Sequence, residues 1–274
     1  MYTLPNYFLS SENTPDVVQH SYKSYEAIDR CQIQLTHHLI SFLQEGEKIV
    51  LLPNETVTIG ASSFLLLSEG QCLMTEKLSS AHHYHSHLLF FKHHIVQDLL
   101  LKHQIEVPEP TSPAPIQVLA YDPFVRNFVT SLQLTPQADS TFLRHKVEEF
   151  LLYGYSQYGA NFFSFLQTPP VPALQQVAQV AQKAIFEKLT LEQMAFLCAM
   201  SVSTFKRRFA QYYESTPQSW LREQRLQRAA KLLRQGEYRP SELSEELGFQ
   251  HHSSFTAAFK SRFGMTPSAY VNQA

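Results

Sequence analysis

At 274 residues, with 44% hydrophobic and 17% charged side chains, the chain has enough apolar content for one large or two ordinary cores, which excludes wholesale disorder. Its net charge of −2 hides an asymmetry: residues 1–173 hold 9 Lys/Arg against 16 Asp/Glu, about −7, and residues 174–274 hold 13 against 8, about +5. That imbalance suits a nucleic-acid module beside an acidic one, although many globular domains carry as much positive charge. Cys31, Cys72 and Cys198 are far apart and form no CxxC pair. They argue for a reduced, cytoplasmic setting and against a disulfide framework. No basic patch followed by an apolar run opens the chain, and runs such as Phe64–Leu67 and Leu88–Phe91 are too short to span a bilayer. Neither a secretory signal nor a membrane span is expected.

Residues ~30 to ~92 read as short strands. Ile33 and Leu35 alternate with polar neighbours, Ile49–Leu52 is a tight apolar run, Pro53-Asn54 marks a turn, and Val57 and Ile59 alternate before Gly60. Phe64–Leu67, a turn at Glu69-Gly70, Cys72–Glu76 and Leu88–Phe91 complete the set. Many short strands with regular turn signals predict a small barrel or sandwich. Ile95, Leu99 and Leu100 then fall at helical spacing. Four prolines between Val107 and Pro115 predict a loop. Helices are expected over Pro123 to about Leu132, with Phe124, Phe128 and Leu132 inward, and over Thr141 to about Tyr158, with Phe142, Val147, Phe150 and Leu151 inward. Pro169-Pro170-Val171-Pro172 reads as a stiff spacer. The spacing therefore divides the chain into a strand-rich region (1–108), a helical segment (109–168), a linker (169–173) and an all-helical region (174–274).

The helical region holds two candidate helix-turn-helix motifs. In the first, about 191–212, Leu191–Met200 forms one helix, with Leu191, Met194, Ala195 and Leu197 as its apolar face. Ser201 is an N-cap for the next, because its hydroxyl takes an orphan backbone N–H. From Val202 the inward positions are Phe205, Phe209 and Tyr212; Ser203, Thr204, Lys206, Arg207, Arg208 and Gln211 point outward. A Lys-Arg-Arg row on a reading helix supplies phosphate charge and guanidinium forks that read guanine. Alone such a run is more often a solvated face. The design recurs at about 241–263: Leu243 and Leu247 inward, Gly248 for a left-handed turn, then a helix from His252 with Phe255 and Phe259 repeating Phe205 and Phe209. Pro217 likewise matches Pro267. Between them Gln218 to about Gln235 forms one helix, ~27 Å long at ~1.5 Å per residue. That length would set the two reading helices about one DNA turn, ~34 Å, apart. Arg222, Arg225 and Arg228 on it are as readily structural as DNA-facing.

Residues ~174–272 resemble the DNA-binding domain of the AraC/XylS family of bacterial regulators. The resemblance rests on Leu-Glu-Gln-Met-Ala, Met-Ser-Val-Ser-Thr-Phe-Lys-Arg-Arg-Phe, Arg225 and Ala229 ahead of Leu232-Leu233, Glu-Leu-Gly-Phe, and Phe-Lys-Ser-Arg-Phe-Gly-Met-Thr-Pro. It implies an α+β two-domain fold, with an N-terminal cupin-like β-barrel, helices at 109–168 that dimerise, and an all-α C-terminal domain. It implies base contacts from Ser203, Lys206, Arg207, His252, Ser253, Ser254 and Thr256. It implies phosphate contacts from Thr204, Arg208, Lys260 and Arg262. The implied function is a DNA-binding transcription regulator, activation being the family's commoner habit. Promoter DNA, RNA polymerase, a second copy of the chain and an unidentified small-molecule or protein effector are its implied partners. Two residues depart from the pattern. Ala257 stands where the family often has Arg, and Ala cannot read guanine; His251 stands where a small hydroxyl cap is usual. The first motif is therefore expected to discriminate sequence more strongly than the second. Lys146 followed by Glu148-Glu149-Phe150-Leu151-Leu152 resembles the dimerisation region of some members.

His82, His83, His85, His87, His93 and His94 fall within thirteen residues. Metal cupins split their ligands between two strands and include a Glu, so this consecutive cluster reads as a polar loop and strand edge, with a metal-binding cupin as the alternative. No metal or other cofactor is expected. No nucleophile elbow, phosphate loop or His-Glu-x-x-His is present, and Cys31 and Cys72 are isolated, so no enzyme activity is expected. For the N-terminal half two readings stay open. A ligand sensor needs an enclosed apolar cavity with a few inward polar groups; a constitutive dimerisation or protein-binding module has a filled interior.

Overall fold

The computed structural model describes residues 1–9, 13–107, 115–166, 171–236, 238–249 and 251–271. It divides into two units, Met1–Pro170 and Val171–Ala274. The Pro108–Ala114 part of the expected loop and Pro169-Pro170 of the expected linker lie outside the described residues.

In the first unit β1 (Tyr2–Leu4) leads through a 3-10 turn at Asn6–Phe8 to β2 (Val17–Ser24), β3 (Ile28–Leu35), β4 (His38–Glu45), β5 (Glu47–Leu51), β6 (Thr56–Gly60), β7 (Ser63–Leu67), β8 (Gly70–Lys77) and β9 (Tyr84–Phe91). Then come α1 (His93–Lys102), β10 (Ile116–Ala120), α2 (Pro123–Gln133), α3 (Ser140–Tyr158) and a 3-10 segment, Gly159–Leu166. The strands make two five-stranded sheets, ordered β1-β3-β8-β5-β6 and β10-β7-β4-β9-β2. Among the described residues only β1 and β3 pair in parallel.

The central strands of the second sheet, β7, β4 and β9, are buried on both faces. Leu39, Leu43, Leu65, Leu67, Leu88 and Phe90 share a core with residues of the first sheet. Their neighbours Ile40, Phe42, Phe64, Leu66, Leu89 and Phe91 share another with α1, α2, α3 and the 3-10 segment. Because strand side chains alternate between faces, a strand dry on both sides loses its polar/apolar alternation. That is why Phe64–Leu67 and Leu88–Phe91 read as unbroken apolar runs.

Three strands lie outside the expected range. β1 and β2 precede residue 30, and β10 pairs with β7 along its whole length, beyond the expected barrel end at 108. β10 is an edge strand of only five residues with Val118 39% exposed, and its weak alternation sits just after the prolines. The helices form where expected, each behind an aspartate cap: Val125 N–H donates to Asp122 Oδ1 and Phe142 N–H to Asp139 Oδ1, both at 2.8 Å. Phe142, expected inward, is 43% exposed. The Asp139 cap starts α3 at Ser140 and sets its inner stripe at Leu143, Val147, Phe150, Leu151 and Gly154, one residue and so ~100° away from Phe142.

Gly154 is required by close approach: a Cβ there would stand 2.2 Å from the Phe162 ring. Gly154→Ala should therefore destabilise the first unit by about 1–3 kcal/mol through overpacking. The denaturation midpoint measures it, and an unchanged midpoint contradicts the packing described.

The histidine cluster is not a strand edge. β9 lies between β4 and β2, and its His87 is 4% exposed, with neither ring nitrogen hydrogen-bonded among the described residues. Burial pushes it down to about 4. His38, 2% exposed, accepts from Glu69 N–H at Nδ1 and so donates from Nε2 to His93 Nδ1, 3.0 Å away. Burial, with the neighbouring His93 and His37, pushes it down to about 3. Both rings stay neutral in the fold but protonate near the ordinary histidine value of 6.5 when unfolded. The unfolded state therefore binds more protons between about pH 6.5 and 3, and stability falls as pH falls through that window. Melting temperature should drop between pH 7 and pH 5, and His87→Phe should blunt the drop. A flat profile over that range would contradict neutral burial.

The second unit contains α4 (Ala173–Phe186), α5 (Leu191–Leu197), α6 (Val202–Tyr213), α7 (Pro217–Gln235), α8 (Pro240–Glu246), α9 (His252–Phe263) and α10 (Pro267–Val271). No helix among the described residues is long and apolar enough to cross a membrane.

Candidate nucleic-acid interface

Two helix pairs, α5–α6 and α8–α9, are linked by α7. The first pair is strongly capped. Thr190 and Gln193 form a reciprocal capping box at α5. Ser201 Oγ accepts from Thr204 N–H at 3.2 Å to start α6. The turn between them passes through Ala199 at φ +52°. That left-handed residue ends α5 at Leu197 rather than at the expected Met200. In the second pair Gly248 takes φ +73°, two residues past the end of its preceding helix, as Ala199 is in the first.

The reading helices superpose on a fifty-residue period. Phe205 and Phe209 lie 5.7 Å apart, as do Phe255 and Phe259. Tyr213 and Trp220 close the first cluster against Phe209 at 4.7 and 5.7 Å; Phe263 and Tyr270 close the second against Phe259 at 4.5 and 5.3 Å. Left-handed C-caps at Glu214 and Gly264 fall on the same period. Tyr212, expected inward, is 51% exposed. The i, i+4, i+8 stripe from Phe205 through Phe209 selects Tyr213 instead, a position the repeat already marked through Phe263.

On the opposite face of α6, Ser203, Lys206 and Arg207 are exposed and Thr204 and Arg208 partly so. Arg207 makes no ion pair among the described residues. On α9, His252, Ser253, Ser254, Ala257 and Lys260 are exposed, while Thr256 is half-buried with its hydroxyl 3.4 Å from His252 Nε2. Arg262 is held at 2.7 and 2.9 Å by the two oxygens of Glu223 on α7. A phosphate contact from Arg262 therefore competes with an ion pair that the sequence did not reveal.

The α7 arginines separate into roles. Arg225 is half-buried and donates to the Ala184 carbonyl at 3.0 Å, beneath Gly248; Arg228 stacks over Phe186 at 4.2 Å. Both are structural. Arg222 is exposed and lines a cleft between the two helix pairs together with Ser254 and Ala257.

His251 precedes α9 with no side-chain cap bond. His251→Ser should stabilise the second helix pair by about 1 kcal/mol, the ordinary worth of a hydroxyl cap. Amide exchange in α9 measures it, and faster exchange would contradict the assignment.

Comparison with known proteins places these two units. Residues 194–273 match the family described as helix-turn-helix domain, and residues 38–165 match the ExsA N-terminal regulatory domain. The C-terminal unit carries an AraC-type helix-turn-helix domain. The virulence regulon transcriptional activator VirF of Yersinia enterocolitica is 27% identical over 57% of this chain and 59% of its own. The HTH-type transcriptional regulator ExsA of Pseudomonas aeruginosa is 29% identical over 45% of each. The chain thus matches less than two thirds of the length of these curated relatives. Among solved structures, apo ToxT from Vibrio cholerae strain SCE256 aligns over 96% of this chain and 99% of its own, at a TM-score of 0.45 and 15% identity.

Proposed function

We propose that the chain is a cytoplasmic, sequence-specific DNA-binding transcription regulator. Its helices α6 and α9 enter successive major grooves of promoter DNA as the two readers of one protomer. The observation that carries this is the fifty-residue repeat: two aromatic-locked helix pairs, each turning a polar face outward. Ser203, Lys206 and Arg207 read bases from the first, with Thr204 and Arg208 on phosphate. His252, Ser253, Ser254 and Thr256 read from the second, with Lys260, and Arg262 once released by Glu223, on phosphate. Activation follows the role of VirF, a virulence regulon transcriptional activator; recruitment of RNA polymerase and action as a homodimer through the 109–168 segment follow the family's habit. Control passes through the N-terminal unit. Genome-wide mapping of bound sites tests the proposal: promoter sites should share one motif with two halves about one helical turn apart, and binding spread evenly over the genome would overturn it.

A further inference from the structure

Between the two helix pairs of the C-terminal unit lies a cleft of about 650 Å³, within the size range that takes a nucleotide-sized group. Met194 of α5, Gln218, Arg222 and Arg225 of α7, and Ser254 and Ala257 of α9 are among its walls. Two guanidinium groups thus stand three residues apart on one face of α7, where like charges repel. No carboxylate lines the cleft among the described residues. Arg225 is half-buried and donates to the Ala184 carbonyl at 3.0 Å. Arg222 is exposed and makes no hydrogen bond or ion pair among the described residues. A cation beside a second cation, with no internal partner, adds nothing to the fold and attracts an anion. The fifty-residue repeat shows why the charge comes from α7. Lys206, Arg207 and Arg208 of α6 fall on Thr256, Ala257 and Ala258 of α9. The second reading helix therefore has three uncharged residues where the first has three cations, and Arg222 stands on the cleft wall facing the Ala257 methyl group.

We infer that this cleft seats a phosphodiester of the DNA backbone, held by Arg222, where a strand passes between the two major grooves. The inference rests on the proposed entry of α6 and α9 into successive major grooves. Between two such grooves on one face of the duplex lie the minor groove, ~6 Å wide, and the two backbones that border it. The element that joins the readers across that stretch is α7. A guanidinium offers two parallel N–H donors to phosphate oxygens, and the exposed Gln218 amide, on the same wall, supplies a further donor. Contact with a base edge carries sequence information, whereas contact with phosphate fixes position. Arg222 therefore gives the second motif affinity and placement rather than discrimination.

The test is equilibrium binding of the purified full chain to a duplex selected from a random-sequence library and to an unrelated duplex, over a series of salt concentrations. Arg222→Ala should weaken both by about the same factor, roughly tenfold at low salt, the worth of one hydrogen bond to a charged group. It should also reduce the salt slope by about one unit. Arg222→Lys should keep the slope, because it keeps the charge. Uncharged methylphosphonates placed one at a time along the selected duplex locate the partner. One position between the two half-sites should weaken binding by the unaltered chain and leave Arg222→Ala unaffected, because two changes that remove the same contact do not add. Unchanged affinity and slope in Arg222→Ala, weakening confined to the selected sequence, or no phosphate whose effect disappears with the arginine would each overturn the inference. So would inorganic phosphate that binds the chain through Arg222 while DNA binding ignores the substitution, since the cleft would then hold a free anion. Preference of the unaltered chain for no duplex strikes the proposed function itself. Selective binding by Arg222→Ala that matches the unaltered chain at every salt concentration overturns this inference alone.

Discussion

Phe209→Ala is expected to destabilise the second unit by about 3–5 kcal/mol, the range for removing a fully buried aromatic ring. Phe209 is 0% exposed and is the hub of its cluster, touching Phe205, Tyr213 and Trp220. A domain's whole stability is about 5–15 kcal/mol, so the variant should be marginal at room temperature and should lose specific DNA binding. Phe259→Ala, its counterpart fifty residues on, should cost the same within about 1 kcal/mol, because Phe259 is also 0% exposed and touches Phe255, Phe263 and Tyr270. Amide exchange separates the two. Phe209→Ala should accelerate exchange first in α5 and α6, Phe259→Ala first in α8 and α9. Acceleration spread evenly over all seven helices in both variants would show that the pairs are not separate cores.

Arg207→Ala is expected to weaken binding to a preferred site by about 1–3 kcal/mol, roughly five- to 150-fold, while leaving binding to unrelated duplex DNA within about twofold. The side chain is exposed and makes no internal ion pair among the described residues, so the fold loses little and the change is confined to recognition. A base reader discriminates; a phosphate clamp does not. Equal weakening on every sequence, with a salt dependence reduced by about one unit of slope, would reassign Arg207 to the backbone.

Much of the second unit was legible because its design is local and repeated. Phe205, Phe209, Phe255 and Phe259 sit four apart within helices, and a fifty-residue period needs no tertiary knowledge to detect. What escaped were long-range pairings. Glu223 reaches Arg262 across 39 positions, and Arg225 finds the Ala184 carbonyl across 41; neither choice of partner is encoded in spacing. Tyr213, not its neighbour Tyr212, continues the stripe of Phe205 and Phe209 and matches Phe263 in the repeat, and Trp220 packs against it at 4.4 Å.

In the first unit the short strands from Ile49 to Phe91 announced themselves through turn residues, yet β1 and β10 did not. Their pairings join Tyr2 to Ile33 and Ile116 to Leu67, and three- or five-residue edge strands carry too little alternation to stand out. The polar interior was hidden for another reason. Lys48 and Glu76 are the residue types least often buried, and on sequence alone each belongs to a solvated strand face. Only the register that sets them opposite each other reveals a buried pair. His87 behaved likewise: it read as one member of a polar loop, and the insertion of β9 between β4 and β2 placed it in the dry interior.

The most direct test of the central claim is selection of duplexes from a random-sequence DNA library by the purified full chain, followed by a groove-specific footprint of the enriched sequence. Two protected major-groove segments per bound protomer are predicted, about 10 base pairs apart on one face of the duplex. Arg207→Ala should relax base preference in one segment, and Ser253→Ala with Ser254→Ala in the other. Enrichment of no sequence, or a single protected segment that both sets of substitutions weaken alike, would contradict a protomer that reads DNA with two helices.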